Sequence, residues 1–331
     1  MKLPRIAGTI LGLAVLAGGF LYYHAARPYR GFAGTVYVDL PRGTSTNGMA
    51  TRLARAGVIG SRWDFWIARL ANRGRVLQAG EYAFDHPASA MDVFRKIARG
   101  DIFYYELVVP EGQNMFEIGA AAEQLGVFKA VDFVKAAEDP ALIGDLDPQA
   151  PTLEGYLFPS TYRLGHSTTP QQLCRMMTAR FRTAWRSLDT NAGVHETVTL
   201  ASLVEKEDKL EEERPLIAAV FTNRLRLGMK LECDPTTNYA ALLLGVYRGT
   251  IYRSDLDRSH PYNTYSHVGL PPGPIANPGI PSLLAALHPA VSDDLYFVRR
   301  PDGSGAHQFS KDMAAHAAAA EKYRRGLRKL R

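Results

Sequence analysis

The first apolar stretch of the chain runs from Ile6 to Tyr23, with Lys2 and Arg5 before it and His24, Arg27 and Arg30 after it. That length is near the minimum for a helix that crosses a bilayer, and it exceeds the usual core of a cleaved signal. Basic residues flank both ends, so the positive-inside rule gives no orientation. A cleavage point wants small residues before it; Ala26 suits one, but His24 two positions earlier does not. The pattern predicts an uncleaved transmembrane anchor over 6–23, a cytoplasmic tail over 1–5, and the remaining chain outside the cytoplasm.

After a short spacer at 27–34, strand alternation and helical spacing take over. Val36-Tyr-Val-Asp-Leu40 alternates, closes at Pro41-Arg-Gly43, and leads into a helical stretch ending at Gly57-Val58. Tyr105-Glu-Leu-Val-Val109 does the same, closing at Pro110-Glu-Gly112 and leading to Gly126-Val127. The glycine after each helix reads as a left-handed C-cap. Two readings stand: strand–turn–helix units recurring by chance, or two related carbohydrate-binding modules or half-modules. Between them, 79–84 reads as a strand. Ser89 reads as the N-cap of a helix that Gly100 ends, with Asp92 in the acidic place of a capping box. A small mixed α/β unit over 35–104 results.

From residue 105 to the end the pattern describes a larger unit. It is helical over 116–139, then a loop at 145–152, then helical over 170–190, 196–208 and 215–227. Pro215 suits the first turn of the last of these and Gly228 its stop. Residues 240–300 are loop-rich, Leu295–Val298 reads as a strand, and 307–309 as its partner. The fold class is α+β.

At 331 residues the chain exceeds one small core, and two or three folded units are expected. Its 46% hydrophobic and 22% charged residues are ordinary for globular protein. The net charge of +6 is uneven: residues 314–331 hold six basic side chains against Glu321, which is +5 by itself. That segment reads as a solvated Ala-rich helix, or as a patch drawn to an anionic membrane face or acidic polymer. No nucleic-acid motif accompanies it, so nucleic-acid binding is not inferred. Cys174 and Cys233 form no CxxC or Cys/His cluster, and His260, His267, His288 and His307 are scattered, so neither a metal nor another cofactor is expected. The two cysteines are either a disulfide or two separately packed thiols. GxSxG and Walker motifs are absent from the sequence, and nothing marks Ser202 as a nucleophile.

The informative chemistry lies in Thr199-Leu-Ala-Ser-Leu-Val-Glu-Lys-Glu207, an apolar helical segment carrying acids, and in the Pro/Gly/Tyr-rich block that follows about fifty residues later. A carboxyl held against an apolar surface keeps its proton near neutral pH and can donate it. At 100° per residue, Glu205 shares a face with Val198 and Ala201, and Glu207 with Leu200 and Leu203. Helical phase does not choose between them. The plain alternative is a helix end whose acids are solvated or paired with Lys206, Lys209 or Arg214. Glu154 in Leu153-Glu-Gly-Tyr156 is a second candidate, since its neighbouring glycine permits close approach of a ligand; its alternative is a turn carboxylate capping an amide. Asp234 stands before a helix, where an Asp is more often a cap than a catalyst; a groove residue is the other reading. Tyr262, Asn263 and Tyr265, with Gly269–Pro274, are either a sugar platform or a rigid proline-bounded loop.

Read together, Leu153-Glu-Gly-Tyr-Leu-Phe-Pro-Ser-Thr-Tyr162, Ala201-Ser-Leu-Val-Glu-Lys-Glu207, Val220-Phe-Thr-Asn-Arg-Leu225, Met229–Thr236, Tyr262-Asn-Thr-Tyr265, Gly269–Gly279 and Ala286-Leu-His-Pro289 resemble the endolytic murein transglycosylase family, the YceG-like group also called MltG. Their order and spacing cover most of 105–310. The resemblance implies an inner-membrane, single-pass enzyme with its catalytic domain, over 105–331, in the periplasm, and a LysM-like subdomain over 35–104. It implies endolytic cleavage of the MurNAc–GlcNAc bond within nascent peptidoglycan strands, leaving 1,6-anhydroMurNAc ends. In the family the acid is the first Glu of Val-Glu-Lys-Glu, which maps onto Glu205, acting as general acid and then base. Glu154, Asn223, Asp234, Tyr262 and Asn263 are expected in the substrate groove. Expected partners are glycan strands, the inner membrane and peptidoglycan synthases. The rival readings are a muramidase-type hydrolase, with Glu154 or Asp234 positioning water, and a non-catalytic peptidoglycan-binding scaffold. Cys233 stands where relatives carry a small or polar residue, and Asp208–Glu213 is more acidic than the family pattern.

Overall fold

The computed structural model describes residues 3–329; Met1 and Lys2, part of the expected tail, and Leu330 and Arg331 lie outside the described residues. The expected anchor falls on a helix, α1 (Leu3–Ala26). Among the described residues, however, no helix is long and apolar enough to cross a membrane, so the spanning anchor is not supported by the structure. The last turn of α1 is engaged by protein instead: Ala25 is buried in a core, and His24 Nδ1 lies 3.1 Å from Asp64 Oδ1.

The chain divides into two units, 1–105 with 163–167, and 106–162 with 168–331. In the first, β1 (Val36–Leu40) is followed by α2 (Thr46–Arg55), α3 (Arg62–Ala71), β2 (Gly80–Phe84) and α4 (Ala90–Arg99). β1 and β2 pair antiparallel, Val36 opposite Phe84 and Leu40 opposite Gly80. Leu40, Leu53, Phe65, Tyr82, Phe94 and Ile97 form the centre of its core, all fully buried. The expected caps of α4 are present: Ser89 Oγ accepts from the Asp92 amide at 3.1 Å, and Gly100 ends the helix at φ +74°. The polar–apolar pattern does not announce α3. Phe65 and Ala68 are buried while Trp63, Trp66 and Leu70 are exposed, so apolar residues occupy both sides of the helix.

The second unit follows β3 (Tyr105–Val109) with α5 (Met115–Gln124), α6 (Ala130–Ala137) and β4 (Ser160–Leu164), and β3 and β4 share a two-stranded sheet. The continuous helical pattern over 116–139 is thus two helices, broken by Gly126 at φ +74°. This strand–helix–helix–strand order repeats that of β1 to β2. The Pro-x-Gly glycines, Gly43 and Gly112, both take left-handed conformations, φ +83° and +77°.

The helical body comprises α7 (Pro170–Ser187), α8 (Val194–Glu207), α9 (Arg214–Arg226) and α10 (Asp234–Leu243), then the short α11 (Arg253–Leu256) and α12 (Ile280–Leu287). A hairpin of β5 (Tyr296–Arg299) and β6 (His307–Ser310) precedes α13 (Met313–Lys329). α11 and α12 lie in the stretch read as loop. Their helices are four and eight residues long, too short for periodicity to register. α8 runs through the middle of the unit. Thr197–Val204 are all buried, with Leu200, Leu203 and Val204 packed on Ile217, Ala218 and Phe221 of α9. Cys174 and Cys233 are buried free thiols, which removes the disulfide reading.

Candidate active site

A helix buried all round presents no single polar face. That is why phase could not separate Glu205 from Glu207: both side chains of the last turn of α8 enter protein, on opposite sides.

Glu205 is 6% exposed at its side chain. Oε2 accepts the Gly279 amide at 3.1 Å, and Gly279 is the N-cap of α12, where free amides favour an anion. Arg214 Nη2 stands 3.8 Å from Oε1. Arg214 also binds Asp208, Nε to Oδ2 at 2.7 Å, and approaches Glu111 at 3.9 Å. Glu211 Oε1 lies 3.8 Å from Nη1, so four carboxyls surround one guanidinium. Burial raises the Glu111 and Asp208 carboxyls above the ordinary range; the charge on Glu205 adds to the rise in both and Arg214 opposes it. Arg214 Nη1 is buried with no hydrogen-bond partner.

Two glycines border this cluster, and Gly279 makes room for it. A Cβ on Gly112 would stand 3.4 Å from Glu205 Cγ, and one on Gly279 would collide with the Glu111 carboxylate. Lys206 Nζ donates to the Gly112 carbonyl at 3.0 Å, and the Gly112 amide donates to the Asn277 carbonyl at 2.9 Å. The turn after β3 is thus clamped onto the end of α8. The sequence named Arg214 only as a pairing partner and passed over Glu111, whose Pro-Glu-Gly setting read as a turn. The excess acidity of 208–213 was the available signal, since Asp208 is part of the cluster.

Glu207 faces a cavity of about 490 Å³ lined by Arg224, Asp234, Tyr265, Arg299 and His307 among others. Burial pushes its carboxyl up to about 7, against a hydrogen bond with Cys233 that lowers it. Asp234 joins this cavity at the N-terminus of α10, and its Oδ1 accepts the Tyr265 hydroxyl at 2.6 Å.

The other expected groove residues hold the scaffold. Glu154 is 1% exposed; it accepts the Met115 amide at 2.9 Å and Asn277 Nδ2 at 2.7 Å. Its glycine neighbour serves protein packing, because a Cβ on Gly155 would collide with Pro274. Asn223 donates to the Ser292 and Asp294 carbonyls at 2.8 and 3.1 Å, fixing the segment before β5. Asn263, 1% exposed, caps α11 through the Leu256 and Arg258 carbonyls at 2.9 and 2.7 Å. Tyr262 is buried with its ring 5.1 Å from that of Tyr239. In these four the polar atoms, or the ring, are engaged by protein.

An α+β protein whose larger unit gathers an acid cluster between a strand turn and a helix N-terminus, with Glu205 and Asp208 buried and Glu111 at its exposed edge, defines the class. The chain belongs to the YceG-like family, whose model matches residues 38–322. It is 32% identical over 310 residues to an endolytic murein transglycosylase of Bacillus subtilis, covering 87% of this chain and 85% of that protein. It is 31% identical over 296 residues to an endolytic murein transglycosylase of Streptococcus pneumoniae, covering 80% of this chain and 54% of that one. The crystal structure of a YceG-like protein from Listeria monocytogenes superposes with a TM-score of 0.55 at 31% identity, over 87% of this chain and 99% of that one.

Proposed function

We propose that this protein is an endolytic lytic transglycosylase of peptidoglycan and that Glu205 is its catalytic residue. The names of its relatives support the reaction, and one observation supports the residue: a nearly buried carboxyl on a helix end, whose carboxylate form, the base of the second step, is held by a backbone amide and a guanidinium. In this reading Glu205 donates its proton to the glycosidic oxygen between MurNAc and GlcNAc as the C1–O bond breaks. The resulting carboxylate takes the proton from the C6 hydroxyl of the muramic acid, whose oxygen closes onto C1. The products are a 1,6-anhydroMurNAc end and a free GlcNAc hydroxyl, with no water consumed. One carboxyl serves both steps, unlike the paired carboxyls of hydrolytic glycosidases. Arg214 Nη1, buried without a hydrogen bond and 3.8 Å from Glu211 Oε1, keeps a donor for a substrate oxygen.

A second reading rests on Glu207, whose carboxyl at about 7 opens on a cavity shared with Asp234. There the reaction is hydrolysis, with Glu207 the acid and Asp234 orienting water. Incubation of purified glycan strands with Glu205→Gln and Glu207→Gln separates the two. Loss of turnover by roughly 10²–10⁴-fold is expected for Glu205→Gln, with strand binding retained. Mass spectrometry should find anhydro ends, lighter by one water than hydrolytic ones. Full turnover by Glu205→Gln would remove that residue from the chemistry, and binding without any turnover in the unaltered protein would favour the scaffold reading.

The membrane placement belongs to the same proposal and rests on sequence alone. The apolar run Ile6–Tyr23 with its basic flanks would tether the chain in the inner membrane, with the catalytic unit in the periplasm and within reach of nascent strands and their synthases. The first unit, with its strand–helix–helix–strand order, is proposed as LysM-like.

A further inference from the structure

The first unit carries an apolar surface that the chemistry does not use. Leu21 of α1 and Trp63, Trp66, Ile67 and Leu70 of α3 line an open groove of about 490 Å³. Trp63 is 63% exposed and Leu70 59%. Contiguous exposed apolar surface of this kind marks an interaction site. It continues along α1, where Leu13, Leu16 and Phe20 are also exposed.

The charge around it selects the occupant. Arg62 opens α3 with its guanidinium 5.3 Å from the Trp63 ring centre; Arg69 lies in the last turn, and Arg73 and Arg75 follow. Residues 3–78 hold ten arginines against two acids, Asp39 and Asp64, and the Asp64 side chain is 10% exposed and bonded to His24. Indoles beside aliphatic side chains, flanked by guanidiniums, match a bilayer surface. The indoles suit the headgroup level, the aliphatic groups the outer acyl chains, and the guanidiniums the phosphates.

We infer that α3 rests on an anionic bilayer surface, with Trp63 and Trp66 at the headgroup level, Leu70 in the outer acyl chains, and Arg62 and Arg69 on lipid phosphates. This rests on the membrane placement proposed above and extends it: the folded unit itself touches lipid, in addition to the N-terminal run.

The chain has three tryptophans, and Trp185 is 7% exposed within the second unit. In a Trp185→Phe background, emission reports α3 alone. The full chain is mixed with phosphatidylcholine–phosphatidylglycerol vesicles whose acyl chains carry bromine close to the headgroup, and flotation is read together with fluorescence. Flotation reports the tether; a blue shift with loss of most of the emission reports the helix. Adding Trp66→Glu, at an exposed position that leaves the circular dichroism unchanged, should restore most of the Trp63 emission, and Trp66→Phe should not. Protein that floats with unquenched emission overturns the inference and leaves the tether standing. Protein that does not float overturns both. A blue shift without quenching would assign the surface to a second copy of the chain and overturn the lipid.

Discussion

At the residue scale, Glu154 shows how burial changes what a carboxyl does. Burial pushes it up to about 8 from the ordinary 4.5, against hydrogen bonds from Met115, Tyr239 and Asn277 that lower it. Between those values the folded state holds a proton that the unfolded chain has released. Raising pH across that window therefore costs stability, and above about 8 the loss is complete. Glu154→Gln keeps a neutral side chain of the same shape. Its thermal midpoint should decline less than that of the unaltered protein between pH 5 and pH 8, and identical declines would remove Glu154 as the source. Gly279 supplies a second test. Its φ of −79° suits any residue, so Gly279→Ala adds no backbone strain, yet its Cβ meets the Glu111 carboxylate. Strand cleavage should fall while the melting midpoint changes little; unaltered cleavage would show that Glu111 does not need its present place. Neither effect was legible beforehand. Glu154 drew attention through Gly155, which serves packing, and Glu111 sat in what read as a turn.

At the scale of elements, periodicity was legible where an element has one buried face and failed where it has none or two. α4 alternates cleanly and carries its caps, so its limits could be read from Ser89 and Gly100. α8 is buried all round and α3 is apolar on both sides, so in one the acid could not be chosen and in the other the helix went unseen. The paired Pro-x-Gly turns were legible because each needs a glycine at positive φ. What the pattern could not supply was the long-range contact made by the second turn. Asn277 makes that contact hold: Nδ2 donates to Gln113 and Glu154, at 2.9 and 2.7 Å, and Oδ1 accepts the Leu157 amide at 2.8 Å. These bonds join the segment before α5, the Glu154 loop and the chain entering α12, which presents Gly279 to Glu205. Asn277→Ala leaves buried groups unpaired at about 1–3 kcal/mol each. A drop in chemical stability of that order, with a larger fall in turnover than in strand binding, is expected from denaturant titration and product assays. Loss of stability with turnover intact would show that the acid is held without this bridge.

At the scale of the whole molecule, the modest net charge conceals a strong division. Residues 3–78 are heavily cationic, as is the segment from 314 onward, while 79–313 hold thirty acids against twenty-two basic residues. The acid cluster and all its contacts lie in the second unit, which has its own core around Leu203, Ile217 and Phe221. The first unit has a separate core in which Phe65 is fully buried, with its ring 5.6 Å from that of Phe94. A chain with two cores need not melt in one step. Phe65→Ala opens a cavity in the first core at a cost of about 3–5 kcal/mol. Calorimetry of the variant should resolve a low-temperature transition absent from the unaltered protein, with the main transition unmoved. Below that transition, the rate of anhydro-end formation on short solubilised strands should match the unaltered protein. A single transition shifted as a whole, with chemistry lost in parallel, would show that the acid cluster depends on the first core, because a cavity around Phe65 could then reach Glu205 only through the fold of the whole chain.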